Sequence, residues 1–232
     1  MLNALEDRPL KLLSEAAAEK YVAATSLQHR KSHGQFFTPS SVASLMADWV
    51  TADQVQNLLD PAFGIGVLAE ACIEKNRRAH ITAFEKDVGI IGFAPKKLAS
   101  KVHLKEGDFL REDIPQMFDG FVMNPPYIRH REIVGYDRER LSISSRSGCA
   151  IPRSANLYIY FSLKAICSLR AGGRGAILIP SEWMSANFSA EFKRFILSKN
   201  LLRHLIVFSH CSAVFDDALT TASVLLIEHP RD

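Results

Sequence analysis

Asn124, Pro125, Pro126 and Tyr127 follow a short apolar run, Phe118 to Met123, that reads as a buried strand of a parallel sheet. The four residues therefore sit at a strand's carboxyl end, where open α/β sheets place their ligands. Two consecutive prolines fix φ twice and remove two backbone donors. The carbonyls of Asn124 and Pro125 are left rigid, Asn124 adds a side-chain acceptor, and Tyr127 adds a flat aromatic face. Together these residues can hold an amino group by its two hydrogens while a ring stacks on its planar carrier. An exocyclic amine of a nucleobase fits that description.

Other strand ends carry matching chemistry. Leu58 to Gly66 ends an apolar strand and opens a helix, with Asp60, Pro61 and Ala62 at the turn and Gly64 and Gly66 allowing close backbone approach to a ligand. The spacing is not G-x-G-x-x-G, which disfavours pyrophosphate binding. The run Ile81 to Phe84 ends in Glu85, a carboxylate placed to accept two hydrogen bonds from a ribose diol. After Val102 to Leu104 come Asp108, which can accept from an adenine amine, and Phe109, which can cover an adenine ring. In this order the residues describe a nucleoside pocket without a phosphate.

These motifs resemble those of the gamma-class N6-adenine DNA methyltransferases of restriction-modification systems, from about Gly34 to Glu228. Gly34, Gln35, Phe36, Phe37, Thr38 and Pro39 are similar to the family's first motif, which lines the methionine end of S-adenosyl-L-methionine. The resemblance makes residues 60–66 the cofactor loop and Glu85 and Asp108 the ribose and adenine contacts. It makes residues 124–127 the catalytic motif, with Asn124 also touching the cofactor. Gly172 to Pro180 and Val214-Phe215 resemble later family motifs. Phe63 and Ile65 depart from the pattern, standing where the family commonly carries a small residue or Cys, and Ser. The resemblance implies a Rossmann-like α/β methyltransferase fold: a seven-stranded, mostly parallel sheet with an antiparallel last strand. The expected chemistry is methyl transfer to a flipped adenine, with Asn124 and Pro125 polarising the amine, Tyr127 stacking on the base and Phe215 closing its other face. No general base is evident near the motif.

These residues need a framework to position them. Strands are expected near 56–60, 80–85, 102–105, 118–123, 174–180, 203–208 and 221–228, alternating with helices. One helix is expected over about 11–28 and another from about 39 to 49. Residues 1–33 read as an N-terminal helical arm and 34–232 as the methyltransferase catalytic domain, with no separate target-recognition domain in the chain. Residues 128–153 are expected to form a long basic loop. The loop is rich in Ser and Arg, and Arg129 and Arg131 are placed to meet DNA phosphates. Ser181, Glu182 and Trp183 fall on the ligand side of the sheet, where such a segment is more often only a helix cap.

An apolar fraction of 47% and 14 Phe support a sizeable core, and a net charge of +3 permits a nucleic-acid partner. Cys72, Cys149, Cys167 and Cys211 form no CxxC pair, and the eight histidines show no zinc-protease spacing. No metal is expected, and the cysteine usage fits a reducing cytoplasm. No stretch has the length of a membrane span. The expected partners are double-stranded DNA and a target-recognition subunit or cognate restriction endonuclease. Two other readings stand beside this one. A protein glutamine N5-methyltransferase also uses Asn-Pro-Pro-Tyr, though the residues 35–39 motif and the basic loop argue against it. A non-catalytic cofactor- or DNA-binding subunit is the other, motivated by Phe63 and Ile65.

Overall fold

The computed structural model describes residues 12–53, 55–115, 117–208 and 221–231. Val214, Phe215 and Cys211 lie outside the described residues. Seven described strands form one sheet: β1 Asn57–Asp60, β2 His80–Glu85, β3 Val102–Glu106, β4 Phe118–Met123, β5 Leu169–Pro180, β6 Leu202–Val207 and β7 Ala222–Glu228. Their order is β3-β2-β1-β4-β5-β7-β6. The first five are mutually parallel, and β7 runs antiparallel between β5 and β6. This is the expected mixed sheet. The strand order reverses direction at β1 and β4, which opens a crevice at their carboxyl ends.

Nine described α-helices accompany the sheet: α1 Leu13–Ala24, α2 Leu27–Ser32, α3 Ser40–Val50, α4 Val67–Lys75, α5 Val88–Ile91, α6 Lys96–Ala99, α7 Asp137–Ser147, α8 Leu157–Ile166 and α9 Ala190–Ser198. Strand side chains alternate between two apolar layers. Leu59, Phe121, Met123, Ile177 and Ile179 join the layer of α8. Leu58, Val122, Ala176 and Leu178 join the layer of α3 and α4. With both faces covered, each central strand reads as a continuous apolar run.

Three expectations change. The helix expected over 11–28 is two helices. Thr25 is extended at φ −122°, ψ 133°, and the Ser26 hydroxyl accepts the His29 amide at 3.2 Å, starting a second helix. β5 begins at Leu169 rather than near 174, with a register shift against β4 between Phe118 and Gly120. Residues 128–153 are not a loop, because they contain α7. Asp137 and Glu139 in its first turn and Arg146 in its last complement the helix dipole. Gly148 ends it in the left-handed region at φ +71°, donating to the Ser144 carbonyl at 3.0 Å. Ile143 anchors it in the core, and Arg140 donates to the Ile151 carbonyl at 3.0 Å. Ser144 and Ser147 spend their hydroxyls on local backbone groups.

α1 docks on α4 by an unusual cap. No side chain of its own covers its first amides. The buried Glu70 carboxylate on α4 accepts the Leu13 amide at 3.0 Å, the Ser14 amide at 2.8 Å and the Ser14 hydroxyl at 2.6 Å. Leu12 and Tyr21 are buried beside it. Among the described residues no helix is long and apolar enough to cross a membrane.

Glu70→Ala should strand three donors and cost about 2 kcal/mol, the range for hydrogen bonds to a charged group. Amide exchange in α1 should accelerate more than in β1–β4. Uniform acceleration across the chain would show that the cap does not hold the arm locally.

Candidate active site

A cavity of about 290 Å³ lies at the carboxyl ends of β1–β4. Gln35, Phe36, Phe37, Thr38, Pro61, Ala62, Gly64, Glu85, Asp108, Phe109, Asn124 and Pro126 line it. Pro39, Asp60, Gly66, Pro125, Tyr127, Arg129 and Arg131 do not. The segments drawn together are thus those singled out in the sequence, but part of each motif stands behind the wall.

The turn after β1 explains this division. Asp60 is fully buried, its Oδ1 accepts the Ala62 amide at 3.3 Å, and its Oδ2 has no hydrogen-bond partner among the described residues. Burial raises its carboxyl to about 7, with the Ala62 amide opposing and nearby Glu85 adding to the rise. The Phe63 amide donates to the Phe84 carbonyl at 2.9 Å, tying the turn to β2. Gly66 adopts φ +90°, and a Cβ there would lie 2.6 Å from Phe63 and Leu98 side-chain atoms. Its lack of a side chain serves packing rather than ligand approach. Phe63 and Ile65 are almost wholly buried in apolar clusters and also line the cavity, so their bulk shapes its wall.

Glu85 is held by backbone amides: Gly64 donates to Oε2 at 2.7 Å and Asp87 to Oε1 at 2.8 Å. Each oxygen keeps capacity for one more donor. Burial raises its carboxyl above the ordinary range, against those amides. Asp87, not foreseen from sequence, is a hub on the same wall. Its Oδ2 accepts from Gln35 Nε2 at 2.7 Å and lies 3.2 Å from His29 Nε2 and 3.4 Å from the Tyr21 hydroxyl. Tyr21 also donates to Gln35 Oε1 at 2.7 Å. Burial opposes it, yet the Gln35 and His29 donors hold Asp87 below its ordinary range. The ligand atoms of His29, His33 and Asp87 lie within 4.8 Å of one another, a grouping hidden from the sequence by the distance of Asp87 along the chain. The donors already crowding Asp87 Oδ2 make it a hydrogen-bond junction.

Asp108 is also occupied. The Leu110 amide donates to Oδ1 at 3.1 Å, Lys86 Nζ lies 3.3 Å from Oδ2, and the Tyr136 hydroxyl donates to Oδ2. Tyr136 and Lys86 line the cavity and were missed because Tyr136 falls in the segment read as a loop. Phe109 contributes to the wall while packing between Phe84 and Phe161.

Asn124 is oriented from across the chain. Its Nδ2 donates to the Phe36 carbonyl at 2.7 Å and to Thr38 Oγ1 at 3.1 Å. A carbonyl can only accept, so the amide nitrogen must face Phe36 and Oδ1 must point the other way. Gly34, at φ +63°, accepts the Tyr127 amide at 3.2 Å, and a Cβ there would strike that amide at 2.5 Å. The buried Pro125 carbonyl accepts no protein hydrogen bond among the described residues. Tyr127 stacks on Phe36 with centroids 5.2 Å apart, and its hydroxyl donates to the Leu178 carbonyl at 3.2 Å. Burial raises that hydroxyl well above its ordinary range, so it stays protonated. Arg129 and Arg131 are exposed around a short 3-10 turn, His130–Glu132.

The profile of the Eco57I restriction-modification methylase family matches residues 67–215. The chain is 34% identical over 220 residues to the type II methyltransferase M.AccI of Acinetobacter calcoaceticus, covering 93% of this chain and 40% of that relative. A shorter similarity, 32% over 93 residues, is to the tRNA1(Val) (adenine(37)-N6)-methyltransferase of Vibrio vulnificus, covering 38% of this chain and 39% of the relative. The M protein of the type I restriction enzyme EcoKI superposes with a TM-score of 0.64 at 17% identity, over 84% of this chain and 44% of that one. That likeness supports the fold. The chain thus spans about 40% of the length of M.AccI.

Because the Asp60 carboxyl is raised to about 7, its charged form costs the folded state. That cost is absent below about pH 4, grows between about pH 4 and 7, and is complete above. Asp60→Asn keeps an acceptor for Ala62 and removes the charge. Its stability relative to wild type should therefore rise by up to about 4 kcal/mol across that window and then level off. Urea unfolding at about pH 5 and about pH 8 checks this. An equal difference at both would mean that Asp60 does not titrate in the window.

Proposed function

The chain belongs to the Eco57I restriction-modification methylase family, and on that footing we propose that it methylates the N6 amine of an adenine flipped out of duplex DNA. The methyl donor in this reading is S-adenosyl-L-methionine, which supplies an activated methyl on a sulfonium. The observation that carries the reading is the fixed Asn124 amide, with Nδ2 committed to Phe36 and Thr38 and Oδ1 directed away from them, next to the Pro125 carbonyl, which accepts no hydrogen bond among the described residues.

The cavity fits such a cofactor. Glu85 retains one acceptor position on each oxygen for a ribose diol. Phe109 and Phe84 offer an apolar wall for a base, and residues 35–38 close the opposite end. The buried Asp60 Oδ2, without a hydrogen-bond partner among the described residues, stands behind the turn.

Adenine N6 is a poor nucleophile because its lone pair is delocalised into the ring. Asn124 Oδ1 and the Pro125 carbonyl accept its two hydrogens and draw the nitrogen toward tetrahedral geometry. As the new C–N bond forms and the methyl's bond to sulfur breaks, leaving S-adenosylhomocysteine, positive charge develops on N6, and both acceptors would stabilise it before a proton is lost to solvent. Unstacking the base costs a few kcal/mol. Stacking on Tyr127 returns roughly 1–3 kcal/mol, and Phe36 stiffens that platform from behind. Phe215 is proposed to close the other face of the base. Exposed Arg129 and Arg131 are proposed to meet phosphates.

Residues 1–33 are proposed as an arm on a catalytic unit of residues 34–232, working in the cytoplasm. Target recognition is proposed to come from a recognition module or subunit, alongside a cognate restriction endonuclease. The similarity to a tRNA adenine-N6 enzyme favours RNA as the second reading of the acceptor. Its shorter coverage makes duplex DNA the preferred one. Transfer of labelled methyl groups to duplex DNA, tRNA and a glutamine peptide in parallel separates these acceptors.

Asn124→Ala should lower single-turnover transfer by about a hundredfold or more, the scale for losing a positioned transition-state contact. Its affinity for S-adenosylhomocysteine should fall by less than about tenfold, because the tie to Phe36 and Thr38 is lost while the Glu85 contacts remain. Undiminished transfer would remove Asn124 from catalysis. Glu85→Ala should weaken S-adenosylhomocysteine binding by more than about tenfold through loss of charged hydrogen bonds. An unchanged dissociation constant in calorimetry would make Glu85 a turn-organising residue only.

A further inference from the structure

Resting on the cofactor reading above, we infer that Tyr136 is a further cofactor-site residue whose hydroxyl competes with the cofactor's base amine for Asp108 and so sets cofactor affinity. Tyr136 lines the cavity, and its hydroxyl donates to Asp108 Oδ2. On this inference the base amine takes that oxygen, because the Leu110 amide holds the other one from its own turn.

Asp108 is crowded. The Leu110 amide holds Oδ1 at 3.1 Å, while Lys86 Nζ at 3.3 Å and Arg111 Nε at 3.9 Å face Oδ2. A carboxylate oxygen accepts about two hydrogen bonds. The Leu110 amide is fixed by its turn, and the two cations remain attracted as they move. The neutral hydroxyl is the donor that a neutral amine replaces like for like. Lys86 Nζ, 3.0 Å from the Tyr136 oxygen, goes on donating to it, and the released hydroxyl proton turns to solvent. Burial and the Asp108 bond raise the Tyr136 hydroxyl above its ordinary range, so it remains a donor at neutral pH.

The carrier of Tyr136 is lightly held at residues 134–135, although Ile133 and the Tyr136 ring pack against the core. The segment is tied at its base, where Leu157 donates to the Ile128 carbonyl and His130 to Asn156 Oδ1, both at 3.0 Å. Beyond Tyr136, α7 is anchored by Ile143. Between those anchors Val134 is 82% exposed, and Gly135 sits at φ +77° with nothing nearer to its Cβ position than an Arg111 nitrogen at 3.8 Å. Rotation at residues 134–135 frees the ring without unfolding the helix.

The test is calorimetry of wild type and Tyr136→Phe with two ligands: S-adenosylhomocysteine, and its analogue whose purine lacks the 6-amino group. Tyr136→Phe should bind S-adenosylhomocysteine about tenfold more tightly, the scale of one displaced hydrogen bond to a charged group. The amine-free analogue should change less than about twofold, since it has no claim on Asp108 Oδ2. Unchanged or weaker S-adenosylhomocysteine binding overturns the competition. Equal tightening of both ligands overturns it too, because the hydroxyl would then act by bulk. A wild type that binds neither ligand overturns the cofactor reading itself, and this inference with it. Matching thermal unfolding curves establish that the isosteric variant is folded.

Discussion

The hydrogen bond from Asn124 Nδ2 to the Phe36 carbonyl is the contact on which the site's polarity depends. It joins segments separated by 88 positions and decides which end of an amide faces the acceptor. With the amide reversed, two oxygens would oppose each other and a donor would stand where an acceptor is wanted. The surrounding geometry supports this one orientation. Thr38 takes the second hydrogen, Gly34 accepts the Tyr127 amide, and the bare Cα of Gly34 lets the two loops touch. The prolines hold their carbonyls still without helix or ladder bonds. The residues 34–38 segment is therefore part of the catalytic loop in all but sequence.

A second constraint is charge. Asp60, Glu85, Asp87 and Asp108 crowd one rim of the sheet, and an unrelieved cluster of this kind would repel itself. Glu85 is relieved by two backbone amides, Asp87 by side chains from α1, α2 and residue 35, and Asp108 by a hydroxyl and cations. Asp60 lacks that relief on Oδ2 and takes up a proton more readily. The rim is thus graded, with the most strained carboxylate deepest and the best solvated ones at the mouth. Docking of α1 through Glu70 contributes to this grading, because it brings Tyr21 and the start of α2 within reach of Asp87.

The strands were readable because layers on both faces make each one a continuous apolar run, and the motifs were readable because each falls where such a run stops. The helix α7 was not. It buries a single Ile and is held by capping, by serine hydroxyls bonding locally and by Arg140 reaching a carbonyl. Composition alone reads those features as solvation. Tyr21, His29, Asp87 and Tyr136 were missed for another reason: their roles lie in partners distant along the chain. The side chain of Asp60 was assigned to the ligand, whereas it stands behind the turn that meets the ligand. A motif at a strand end identifies the loop that forms a wall. Which atoms of that loop face inward depends on the hydrogen bonds that fold it.

The placement of β7 between β5 and β6 also governs the order in which a growing chain can finish the sheet. β2, β3, β4 and β5 each pair with a strand already made, so the strands bearing the pocket can assemble as they leave the ribosome. β6 emerges next but has no strand to join until residues 222–228 have been made. In that interval β5 presents an open edge from Ala176 to Pro180, apolar on both faces. Such an edge templates pairing with other chains. The nascent protein is thus most prone to aggregation after its donor pocket exists and before its last strand is threaded.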